Sequence, residues 1–136
     1  MTHPFRGLAP WMAFLAYGAD AIVAAVENDV RLARLLAETV RTTPELELLD
    51  EPQLSVVVYR HRPPGLDDPA ALDAHNRALL DAMQRDGRVL TSGTTIRGAF
   101  ALRPCLTHHR STDADVLALA EVASELGAGL ASMLPR

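Results

Sequence analysis

The chain has 136 residues, 49% of them hydrophobic, enough for one ordinary domain with a sizeable core. Its charged fraction of 22% and formal net charge of −4 supply no basic field for nucleic acid or an anionic membrane, so neither partner is expected. One cysteine, Cys105, excludes an intramolecular disulfide and a cysteine-based zinc cage and fits a reducing cytoplasm.

All 13 basic residues are arginine, and no lysine occurs anywhere. GC-rich codon usage is a sufficient cause of that bias. Its chemical consequence is that no side chain offers the primary amine on which a Schiff base is built. Leu8 to Val26 is apolar in the manner of an export signal. Pro10, Gly18 and Asp20 interrupt the run and only Arg6 precedes it, so neither a signal nor a membrane span is expected.

In chain order, Leu8, Trp11, Met12, Phe14 and Leu15 recur at near-helical spacing within Phe5 to Tyr17 and stop at Gly18, predicting one short helix. With three further amphipathic helices available for the core, this first helix is expected to present a face to a partner. Ile22, Val26, Val30, Ala33, Leu36 and Val40 then draw the stripe of a long helix closed by Pro44. Glu45 to Leu49 and Leu54 to Arg60 predict two strands that could pair as a hairpin. Asp68-Pro69 is an N-cap and first-turn pair, and Leu72, Leu79, Leu80 and Met83 carry a third helix to Gly87. Arg88 to Ser92 and Ala99 to Leu106 predict two more strands around a turn containing Gly93-Thr94-Thr95 and Gly98. Thr112 with Asp115 forms a capping box, and Val116, Leu119, Ala123, Leu126, Leu130 and Met133 line the last helix. The order ααββαββα predicts an α+β fold: about four antiparallel strands covered on one face by three helices, plus the N-terminal helix.

Candidate sites are sparse. His108-His109 could hold a metal or act as a base, but adjacent side chains diverge and no ligand spacing surrounds them, so a loop is expected and no metal site is assigned. Cys105 has no triad pattern around it and reads as a small core residue. The residue that stands out is Arg103, a cation in the apolar run Phe100 to Leu106. Alternation puts it on the side of Ala101 and Cys105, opposite Phe100 and Leu102. On pattern alone it reads as an arginine on the exposed face of an edge strand, which Pro104 also suggests.

Four stretches together resemble the C-terminal segment of the group II pyridoxal-phosphate-dependent amino-acid decarboxylases, which include the aromatic-amino-acid, glutamate, histidine and diaminobutyrate enzymes. They are Arg6-x-Leu8-x-x-Trp11, then Glu47-Leu48-Leu49 with Leu54 to Arg60, then Pro63-Pro64-Gly65-Leu66. The fourth runs from Gly87 through Leu90-x-Ser92 and Gly98-x-x-x-Leu102-Arg103-x-Cys105 to His109-Arg110-Ser111-Thr112-x-x-Asp115, and is the most specific. The resemblance implies a segment 1–18 leading out of a catalytic domain and a small domain over 19–136. It also implies that pyridoxal phosphate is held by a large domain with no counterpart here, and that the chain is a fragment or split subunit inactive without that domain. A non-catalytic remnant or stand-alone self-associating module is the alternative. By the same resemblance Arg103 matches an arginine that holds a substrate carboxylate at the domain interface. Ala9, Asp29 and His108 depart from the family pattern, which has Lys, His and Asn there. The expected partners are a second copy, through Phe5 to Tyr17, and a separate large-domain chain.

Overall fold

The computed structural model describes residues 5–133, so the outermost positions of the expected 1–18 and 19–136 segments lie outside the described residues. The elements are α1 (Leu8–Tyr17), α2 (Ala19–Thr42), β1 (Leu46–Asp50), β2 (Val58–His61), α3 (Pro69–Asp86), β3 (Ser92–Ile96), β4 (Ala99–Arg103) and α4 (Asp113–Ala131), in the predicted order. Local chemistry fixes the helix ends. The Asp68 carboxylate accepts from the Ala71 N–H at 2.8 Å with Pro69 at the first turn. At α4, Asp115 accepts from the Thr112 N–H at 2.8 Å while the Thr112 hydroxyl caps Asp115, completing the capping box.

The four strands form one antiparallel sheet in the order β1-β2-β4-β3. Tyr59 and Leu102 face each other across β2 and β4 and lie in the core with Leu36, Val40, Leu79, Met83, Val116 and Ala123 from the helices. The Tyr59 hydroxyl donates to the Leu119 carbonyl of α4 at 3.1 Å, and complete burial pushes its ionisation well above the usual tyrosine range. In α2 only the second half is buried, from Leu32 to Val40; Val23 and Val26 in its first half are more than half exposed. No residue of α1 is buried, and α1 meets α2 at 101°. Among the described residues no single helix is long and apolar enough to cross a membrane.

The last strand stops at Arg103, short of the expected Leu106, and the strands depart from the sequence expectation at three further places. Gly93-Thr94-Thr95 belongs to β3 rather than to the turn, which is the two-residue Arg97-Gly98, with φ of 51° and 83°. Left-handed conformation at both positions is the type I′ geometry that matches strand twist. Gly93 was misleading because its lack of a side chain serves packing: a Cβ there would lie 2.5 Å from the Phe100 ring. Arg88 to Leu90 is not a strand, since Arg88 is bound to Asp86 and Glu125, both at 2.7 Å, which ties this stretch to the ends of α3 and α4. Finally, β2 begins at Val58: a register shift between Leu48 and Asp50 interrupts its pairing with β1, and Val56, before it, makes an isolated bridge to Cys105.

The pairing of β2 with β4 is short and is completed by side chains. In the register of Tyr59 with Leu102, His61 would face Phe100. Instead the Asn76 amide of α3 accepts from the His61 N–H at 2.8 Å and donates to the His61 carbonyl at 2.9 Å. Asp73 accepts from the Phe100 N–H at 2.8 Å. Two polar side chains of α3 thus occupy the place of ladder bonds where the strands part. The buried His61 ring lies against Gly127 of α4, where a Cβ would come within 2.6 Å of it, and its Nδ1 lies 2.9 Å from His75 Nε2.

Two predictions follow from this region. Asn76→Leu leaves the His61 N–H and carbonyl buried without partners, and denaturant unfolding should register a loss of about 2–4 kcal/mol. Burial holds both His61 and His75 below their ordinary value of 6.5, with Glu45 partly opposing at His61 and His61 adding to the effect at His75. Depressed histidines stay neutral in the fold while the unfolded chain takes up protons, so their contribution is intact above about pH 6.5 and is lost as pH falls below it. Denaturant midpoints taken between about pH 7 and pH 5 should drop, and His75→Gln, which does not titrate, should reduce that slope.

Candidate functional site

Arg103 ends β4 on the side opposite Leu102, and is exposed as alternation predicts. The strand is not an edge strand, however: β4 lies between β2 and β3. Pro104 is tolerated there because only its carbonyl is used, accepting from the Val57 N–H at 3.3 Å, just past the end of β4. The helices cover the Leu102 face, so Arg103 stands on the open face of the sheet.

Its guanidinium is held loosely. Nε and Nη2 each lie 3.4 Å from the Ser92 hydroxyl, which itself donates to the Arg103 carbonyl at 2.9 Å. Among the described residues no carboxylate forms an ion pair with Arg103, whereas Arg60 on β2 is taken by Glu47 at 2.6 Å. Leu90, Thr91, Ser92 and Cys105 complete a shallow depression of about 350 Å³ around it. A planar fork left free of internal carboxylates can bind an oxyanion through two parallel hydrogen bonds. Cys105 is exposed beside it and not in the core as expected, because it shares the open face with Arg103.

The remaining candidates assemble no catalytic group. His108 and His109 stack at 4.8 Å in the loop after β4, as the sequence suggests, and His108 Nδ1 accepts from the Arg110 N–H at 3.2 Å. Among the described residues no cluster of three or more histidine, cysteine or acidic side chains is arranged to hold a metal. The sequence has no lysine and so offers no side-chain amine to form a Schiff base with pyridoxal phosphate.

The buried pair His61 and His75 was missed by sequence reasoning. Its signal was present: His75 and Asn76 fall on the stripe of Leu72, Leu79 and Met83, and His61 alternates with Tyr59 towards the helices. The pair also contacts Glu45, whose Oε2 lies 3.4 Å from His61 Nε2. It is enclosed by α3 and α4, away from the open face, and supports the fold.

No protein-family model matches the chain. A tryptophan decarboxylase of Camptotheca acuminata is 31% identical over 99 residues, which are 73% of this chain and 20% of that enzyme. The glutamate decarboxylase domain of a diaminobutyrate-pyruvate transaminase and L-2,4-diaminobutyrate decarboxylase from Vibrio parahaemolyticus superposes with a TM-score of 0.82 at 26% identity, over 95% of this chain and 27% of that one. The Oryza sativa TDC structure with PLP and tryptamine gives a TM-score of 0.85 at 22% identity, over 94% of this chain and 28% of that one. The homologues of this chain are therefore group II pyridoxal-phosphate-dependent amino-acid decarboxylases, and it corresponds to one part of them, spanning 20–28% of their length.

Proposed function

We propose that this chain serves as the small-domain component of a pyridoxal-phosphate-dependent amino-acid decarboxylase, with the cofactor and its lysine supplied by a large-domain chain. The observation that carries this reading is Arg103, a guanidinium on the open sheet face with no carboxylate of its own. In that role it is a substrate-binding residue, gripping a carboxylate at the junction with the large domain. The cofactor supplies the electron sink for breaking the bond to the departing carboxylate when bound in the large domain. This chain's part is to bind and orient the substrate and to exclude water from the junction.

A second reading, a self-associating module without a cofactor, is favoured by the N-terminal arm, in which α1 buries none of its residues. An apolar helix so exposed calls for a covering surface, and a second copy supplies one through Phe5 to Tyr17.

Two measurements test the decarboxylase reading. The purified chain mixed with pyridoxal phosphate should show no lysine-aldimine absorbance and release no carbon dioxide from amino acids; stoichiometric binding with turnover would overturn it. Arg103→Leu should cost the isolated fold less than ~1 kcal/mol, as for an exposed cation. The same variant should abolish decarboxylation in a complex reconstituted with a large domain. A thermal loss of roughly 3–5 kcal/mol would instead make Arg103 a structural ion-pair residue.

A further inference from the structure

The N-terminal arm and a groove beside it have matching chemistry. No charged residue occurs between Gly7 and Ala19, and seven large apolar side chains from Phe5 to Tyr17 stand 44–74% exposed. With ~150–250 Å² available on each aromatic, this surface amounts to on the order of 700 Å² per copy. That is close to the ~800 Å² each partner contributes to a stable interface of standard size. A second copy of the chain therefore brings the area that a dimer needs.

The groove, of about 580 Å³, lies along the first half of α2, where Ile22, Ala25 and Val26 join Asp29, Thr107 and His109 in its lining. Its alanines admit a close helix, and although Tyr17, Thr107 and His109 also line it, Asp29 Oδ1 is buried there with no hydrogen-bond partner among the described residues. Such an acceptor requires a donor carried on an apolar body. Along α1 only Trp11 and Tyr17 have side-chain donors. Tyr17 lines the groove of its own copy, which leaves Trp11 to reach the other.

We propose that two copies of this chain associate by a two-fold exchange in which α1 of each lies in the α2 groove of the other, the Trp11 indole N–H donating to Asp29 Oδ1. This deepens the self-association reading and rests on it. Helix-in-groove docking supplies the affinity through the apolar face, and the single polar contact fixes the register.

Sedimentation across a dilution series, read together with Trp11 fluorescence, tests it. The wild-type chain should sediment as a dimer whose tryptophan emission shifts to the red on dilution into monomer. Ala25→Glu, which puts a carboxylate in the groove, should weaken association at least about 100-fold. Trp11→Phe keeps the apolar bulk, removes only the donor, and should weaken it roughly tenfold. Leu117→Glu, on the exposed side of α4, should leave it unchanged, and circular dichroism should show each variant folded. A dimer broken by Phe14→Glu but indifferent to Ala25→Glu and Trp11→Phe would overturn the groove as the seat while leaving self-association standing. A monomer at high concentration with exposed Trp11 would overturn both, and would assign the arm to a different chain.

Discussion

The Asn76 side chain is the piece on which the arrangement of α3, β2 and β4 depends. Its amide presents one acceptor and one donor in the spacing of a peptide group, and both are spent on the backbone of His61. A third bond, from the same nitrogen to the Leu72 carbonyl at 2.9 Å, ties the amide back to its own helix. The Asn76 amide is thereby fixed in direction before it meets the strand. Because buried backbone groups must be paired, the sheet can part between His61 and Phe100 only where α3 supplies Asn76 and Asp73 together. That parting admits α3 close to the sheet and brings His75 against His61, whose ring then needs the bare backbone of Gly127. The packing of α4 on α3 follows from the same contact.

Legibility in the sequence tracked the range of the interactions. The ends of α3 and α4 are written within four residues, as Asp68-Pro69 and Thr112 to Asp115, and were readable as such. The β3–β4 turn was misplaced because two stretches offered glycine, and the choice between them is made by the Phe100 ring, a partner across the hairpin rather than a neighbour in the chain. Cys105 and Pro104 were misjudged for a related reason: whether a strand is interior or at an edge depends on strand order, which is a property of the whole sheet. The buried histidines were overlooked because a polar residue on an apolar stripe is interpretable only once its partner from another element is known. Arg103 was visible as an anomaly in an apolar strand, but its proposed role comes from the resemblance to the decarboxylases and not from its spacing.

Stability and candidate chemistry occupy different faces of the domain. The helix-covered face holds the core and all of the tightly bonded polar groups around His61, while the open face carries an uncommitted arginine and an exposed thiol. Substitutions at Arg103 and Cys105 are therefore nearly independent of the fold, while Ala101 and the Arg60–Glu47 pair further along the same face are buried or part-buried. The arm is a third region, neither core nor polar site, whose apolar character makes sense only in contact with something else.

The way Asn76 holds β2 has a consequence for how the chain can vary. The amide reads the backbone at position 61 and ignores the side chain, so any residue with a free N–H satisfies it there. Besides the bond of its ring to His75, what restricts position 61 is volume: the ring fills the space that a side chain at Gly127 would need. The two positions, 66 residues apart, share one allotment of space between β2 and α4. Across related chains they should trade bulk, a small residue at 61 releasing 127 to carry a side chain while Asn76 stays the same throughout.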